Sequence, residues 1–192
     1  MKKITFILSF LLFTVTAFAQ QTTWKADSYH SKLGFTVTHL GIADVPGHFE
    51  KYDVTVTSSK ADFSDAVVEL TADVNSINTR VEPRDKHLKS ADFFDAEKFP
   101  TMNFKSTSIK KAGKNKYDLT GNLTLHGVTK PVTVTLLYRG TTANPNAKGA
   151  PVAGLQITGT IKRSDFALGS GFPAPMISDE VQIKADGEFG KI

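Results

Sequence analysis

Apolar residues recur at every second position in one segment of this chain after another. From Ser31 onward Leu33, Phe35 and Val37 are apolar, while Lys32, Thr36 and Thr38 are polar. A period of two sends alternate side chains to opposite faces of a β-strand, so one face is buried and the other is solvated. The same pattern runs through Ala66–Val74, Leu119–Leu125, Val132–Tyr138, Leu155–Ile161 and Val181–Ala185. Val54 with Val56, and Met102 with Phe104, mark two shorter strands. Turn signals separate these runs at Asp44–Gly47, Ser58–Asp62, Ala112–Asn115, His126–Pro131 and Thr141–Pro151. Only Thr79–Ser90 breaks the pattern. It is predicted as a short helical insertion near residues 81–90, with Pro83 in the first turn, where a missing N–H costs nothing.

About eight strands and one helical insertion predict an all-β, single-domain barrel or sandwich. A closed antiparallel eight-stranded barrel is the better solution. It leaves no free sheet edge, and its interior is just large enough to be filled by side chains or to hold one ligand. Gly34, Gly121 and Gly159 lie within strands, where glycine marks a bend or open space inside.

The N-terminus is read separately. Lys2 and Lys3 precede Ile4–Ala19, an uncharged apolar run ending in Ala17-Phe18-Ala19. This is the pattern of a Sec signal peptide spanning residues 1–19 and cut before Gln20. The run is shorter than the ~20 residues a membrane-spanning helix needs. The barrel domain is then residues 20–192. Losing the leader removes two lysines and no acid, so the formal charge falls from +4 to +2. A nearly balanced domain is a poor nucleic-acid binder. The basic run Lys105, Lys110, Lys111, Lys114 and Lys116 has no interleaved aromatics and reads as a solvated hairpin. The chain has no cysteine, which excludes a disulfide scaffold, a thiolate metal site, a cysteine nucleophile and a lipid anchor on cysteine.

Four motifs follow in order: Asp27-Ser-Tyr-His30-Ser31 with Phe35-Thr-Val-Thr-His39; Ser76-Ile-Asn-Thr79 leading to Arg84-Asp85-Lys-His87-Leu88-Lys-Ser90-Ala-Asp92-Phe93-Phe94-Asp95 and Phe99-Pro100; Gly121-Asn-Leu-Thr-Leu125-His126-Gly127; and Arg163-Ser-Asp-Phe166. Together they resemble the YceI-like family, from about Trp24 to Gly187. One departure is that Ala167-Leu168 stand between Phe166 and Gly169, where the family pattern continues directly with glycine. The resemblance implies a lipocalin-like, periplasmic barrel that holds a polyisoprenoid or similar long-chain lipid. On that reading the protein is a soluble exported carrier, store or sequestering protein. It needs no cofactor beyond a bound polyisoprenoid or fatty-acid-like lipid. Its partners are that lipid and, transiently, a membrane surface; a homodimer stays open.

The apolar lining is predicted to comprise Leu33, Phe35, Val37, Phe49, Leu88, Phe94, Phe104, Leu123 and Phe166. Arg84 and His87 are predicted to meet the head group at the barrel mouth, through charge-assisted hydrogen bonds to a phosphate or carboxylate. The alternative is an enzyme in which His87 acts as a general base oriented by Asp85, with Arg84 holding an anion. Residues two apart on a helix face about 200° away from each other, so Asp85 and His87 make no local pair. No catalytic residue is therefore assigned. Nor is a metal, since His30, His39, His48, His87 and His126 show no ligand spacing. An outer-membrane barrel is a further rival, but one Trp and four Tyr are few for its aromatic girdles.

Overall fold

The computed structural model describes residues 20–192; the signal peptide reading of residues 1–19 falls outside them. The alternating segments form ten strands: β1 (Thr22–His39), β2 (Ala43–Phe49), β3 (Tyr52–Ser58), β4 (Val67–Asp73), β5 (Ile77–Asn78), β6 (Thr101–Gly113), β7 (Lys116–Leu125), β8 (Val128–Ala143), β9 (Pro151–Lys162) and β10 (Glu180–Lys191). One α-helix, α1 (Glu82–Lys89), lies between β5 and β6. All ladders are antiparallel. Pairing of β1 with β10, as in Leu33↔Ala185, closes a ring of eight: β1, β3, β4, β6, β7, β8, β9 and β10.

β1 is long enough to serve two neighbours. Its first half pairs with β3 (Trp24↔Val56) and its second half with β2 (Phe35↔Gly47). β2 and β3 are thus one stave bent at Glu50-Lys51, and β5 continues it beside β2 (Phe49↔Ile77). The inward faces carry the expected apolar sets, with Val56, Val68, Leu119, Leu136 and Leu155 almost fully buried. The outward faces carry exposed Lys105, Asp118, Asn122, Gln182 and Lys184. This is the inverse of a lipid-spanning barrel, which is apolar outside and polar within.

Three turn readings need correction. Asp44–Gly47 lies inside β2, and the real turn is Leu40–Ile42, where Leu40 and Gly41 take left-handed φ values of 52° and 72°. Pro46 is tolerated because β2 has β1 on one side, while β5 pairs only at His48 and Phe49. Likewise only His126-Gly127 turn between β7 and β8. Pro131 lies within β8, ahead of the point where β9 begins to pair at Thr135. The loop between β8 and β9 is Asn144–Ala150, with strand continuing to Ala143 and resuming at Pro151.

The strand glycines do not leave open space. A Cβ on Gly121 would run into the Phe104 ring, and one on Gly159 would come within 2.7 Å of Val134 Cγ1. Gly47, not singled out in the sequence, makes room in the same way for the Phe35 ring. These residues let large facing side chains pack against the backbone.

Candidate functional site

The barrel encloses an apolar cavity of about 510 Å³. On β10 its wall runs from Val181 to Phe189. At ~3.3 Å per residue that is roughly 26 Å along the strand, or about 20 Å along the axis for a strand tilt near 40°. Side chains from every ring strand contribute, including Leu33 and Phe35 (β1), Val54 (β3), Leu70 (β4), Phe104 (β6), Leu123 (β7), Val134 (β8), Ile157 (β9) and Ile183 (β10).

One end is closed. The β3–β4 loop folds Phe63 into the barrel, where it is 1% exposed and packs on Trp24 and Tyr138 with ring centroids 5.4 and 5.0 Å away. Tyr117 Oη donates to the Asp62 carbonyl at 2.8 Å and ties the same loop to β7. Ser58 Oγ, Ser59 Oγ and the Ser59 and Lys60 backbone N–H groups all donate to Asp65. Burial by itself would raise the Asp65 carboxyl, but these donors outweigh it and hold the group down to about 2.

The other end is covered by α1, the 167–178 loop and the β1–β2 turn. Thr79 anchors α1. Asp85 Oδ1 accepts from Thr79 Oγ1 at 2.5 Å and from Thr79 N at 2.8 Å. Arg84 Nε donates to Thr79 Oγ1 at 2.7 Å and Arg84 Nη2 to the Thr79 carbonyl at 2.9 Å. The remaining N–H groups of Arg84 have no partner among the described residues. His87 Nε2 lies 2.9 Å from Asp92 Oδ2. The His87 ring stands edge-on to Phe93 and Phe172, at 5.1 and 5.3 Å, and those two rings stack at 4.8 Å.

Arg163 organises the facing loop. It is 9% exposed and all five of its N–H groups meet carbonyls: Ser178 at 3.0 Å, Leu168 at 2.8 Å, Gly169 at 2.7 Å, Ile177 at 3.1 Å, and Phe172. With every donor engaged, it shapes the mouth and contributes charge, but has no hydrogen bond left for a ligand. Asp179 accepts from the Ser164 backbone and hydroxyl, and these bonds together with nearby Arg163 hold its carboxyl below the usual range.

Of the residues read from sequence as apolar lining, Leu33, Phe35, Val37, Phe49, Leu88, Phe94, Phe104 and Leu123 border the cavity. Phe166 is the correction. It is 1% exposed but does not border the cavity, and its carbonyl accepts from His126 Nδ1 at 3.1 Å. Arg84 and His87 both border the mouth. Asp85 is occupied by Thr79 rather than by His87, so the orienting pair of the enzymatic reading is not assembled. Arg163, Phe172, Met176 and Ile177 also line the mouth. Arg163 belongs to a recognised motif, but no periodicity in the 167–178 loop points inward. Among the described residues no group of three or more His, Asp or Glu is placed to hold a metal ion, and no helix is long and apolar enough to cross a membrane.

A closed eight-stranded barrel around one long apolar cavity, plugged at one end and covered by a helix and a loop at the other, defines a lipocalin-like container. The family comparison is specific: the model of the YceI-like domain matches residues 24–189, and the chain belongs to that family. Protein YceI of Salmonella arizonae is 38% identical over 183 residues, covering 95% of this chain and 94% of its own. Among solved structures, BcnA of Burkholderia cenocepacia superposes with a TM-score of 0.74 at 30% identity, covering 85% of this chain and 98% of its own. The Campylobacter jejuni YceI protein gives 0.72 at 29% identity, covering 80% and 88%. A polyisoprenoid binding domain from Saccharophagus degradans shares the fold, with a TM-score of 0.65 at 16% identity over 89% of this chain and 99% of its own.

Proposed function

We propose that this protein is an exported binding protein that holds the tail of a polyisoprenoid or similar long-chain lipid in the barrel cavity and does no covalent chemistry on it. The observation that carries this reading is the cavity itself, elongated, apolar on every stave and open toward a helix bearing Arg84 and His87. A dry cavity of about 150 Å³ accepts a benzene, so 510 Å³ accommodates about twenty carbons. Burying twenty methylene-sized groups is worth roughly 16 kcal/mol relative to water, close to the limit of non-covalent affinity. Such a lipid hardly exists free in water, and its practical reference state is a membrane. Transfer from one apolar surrounding to another is nearly neutral, so cavity shape and head-group contacts decide which lipid is kept.

Arg84 is placed for those contacts. Two of its N–H groups fix its orientation on Thr79, and the rest are available to an anionic or carbonyl-bearing head group. The signal peptide read from the sequence puts the protein in the periplasm, where it serves as carrier or store. The name of the Saccharophagus degradans domain and the family membership support a prenyl chain as the tail. The test is uptake of a twenty-carbon prenyl alcohol from detergent by the purified protein and by Ala185→Trp, which fills the cavity at mid-height. Stoichiometric uptake lost in Ala185→Trp is the expected result. Equal uptake by both would place the lipid elsewhere.

A further inference from the structure

Surface loops are normally polar, yet two loops at the cavity mouth carry no charge at all. These are Leu40-Gly41-Ile42-Ala43, at the β1–β2 turn, and Pro173-Ala174-Pro175-Met176, ahead of β10. All eight residues are exposed, with Ile42 at 85%, Leu40 at 54% and Met176 at 45%. They form one unit. Leu40 N donates to the Met176 carbonyl at 3.1 Å, His39 bridges Ile177, and a Cβ on Gly41 would lie 3.9 Å from Pro175 Cβ. The left-handed Leu40 and Gly41 make the β1–β2 turn sharp. The patch is continuous with the cavity wall, because Val37, Val45, Met176 and Ile177 border the cavity.

We propose that this paired tip is a docking surface for a lipid bilayer, through which the cavity exchanges its ligand; the exchange step rests on the lipid-binding reading above. Eight residues on two loop tips are too few for a stable protein interface, which takes about 20–30 residues a side. A bilayer asks only for protruding apolar side chains. With Leu40, Ile42 and Met176 in the hydrocarbon, the mouth beside them opens onto lipid, and a tail passes into the barrel without crossing water. The absence of charge from both loops means that docking needs no anionic lipid.

The test is flotation of the purified protein with phosphatidylcholine vesicles, comparing the native chain with Ile42→Asp, Met176→Asp and Ile192→Asp. Ile192 is also exposed and apolar, but it is tied to Thr23 at the far end of β1. The native protein and Ile192→Asp should float, and the two tip variants should lose association by about tenfold or more, since each exchanges apolar burial for a charge. Circular dichroism identifies any variant that has unfolded, and the neutral pair Ile42→Ser and Met176→Ser then replaces it. A native protein that stays in the aqueous layer, or an Ile192→Asp variant that fails like the tip variants, overturns the proposal. A concentration-dependent dimer abolished by Ile42→Asp also overturns it, in favour of a second copy as the occupant. Uptake of the prenyl alcohol from detergent, measured on the same variants, judges the lipid-binding reading separately. Ile42 does not border the cavity, so an Ile42→Asp variant that keeps detergent uptake but loses transfer from vesicles shows docking failing while the cavity still works.

Discussion

Asp85 and Thr79 close a short loop in which one carboxylate oxygen accepts both the hydroxyl and the backbone N–H of the same threonine, at 2.5 and 2.8 Å. Thr79 is itself buried, so removing the acceptor strands two donors. Asp85→Ala should cost about 1–3 kcal/mol, read as a shift of the urea midpoint. Asp92→Ala, which removes the exposed partner of His87 but leaves the His87 ring on Phe93 and Phe172, should cost under ~1 kcal/mol. The reverse order would contradict the anchoring role given to Asp85.

Phe63 plugs the closed end with almost no exposed surface and two aromatic neighbours. Phe63→Ala should destabilise by about 3–5 kcal/mol. Chemical denaturation measures this directly. A loss below ~1 kcal/mol would mean that the β3–β4 loop does not seal the barrel.

The pattern of two in Leu33, Phe35 and Val37 was enough to place the barrel wall, because a strand buried on one face has few other ways to satisfy its side chains. That logic fails where geometry overrides composition. Asp44-Val-Pro-Gly47 carries the residues of a turn, yet Pro46 pairs with β1 on one side and has no strand on the other, and Gly47 is needed beneath the Phe35 ring. Phe166 has the right chemistry for a lining residue, but its place in the Arg163–Phe166 turn directs it away from the cavity. The loop at Phe172 and Met176 has no periodicity. It is drawn to the mouth by the buried Arg163, a long-range arrangement of carbonyls that spacing along the chain does not encode.

Asp65 makes stability depend on acid. Its folded pKa, about 2, lies below the ordinary carboxylate value of 3.8. Its contribution is therefore complete above about pH 4 and is lost as the pH falls toward 2. With solvent screening allowed for, the loss is on the order of 1 kcal/mol. A double Ser58→Ala, Ser59→Ala variant should show a flatter stability curve between pH 4 and 2 than the native protein. Superimposable curves would assign acid sensitivity to other groups.

Ala167 adopts φ 54°, a conformation that costs an L-residue with a Cβ. It turns the chain after Phe166 so that Leu168, only 4% exposed, faces the cavity and its carbonyl meets Arg163. The two residues that separate Phe166 from Gly169 thus add a corner and a lining side chain. Ala167→Gly should stabilise by about 0.5–1 kcal/mol, the relieved strain exceeding the added freedom of the unfolded chain. Thermal denaturation of the pair checks the sign.

A barrel that holds a long-chain lipid should carry one when the protein is purified. Organic extraction of the purified protein, followed by mass spectrometry, tests it most directly. The expected result is close to one equivalent of a lipid with an apolar tail of about twenty carbons or more, absent from Ala185→Trp. A folded protein with no extractable lipid, and no uptake of prenyl chains when they are offered, would contradict it.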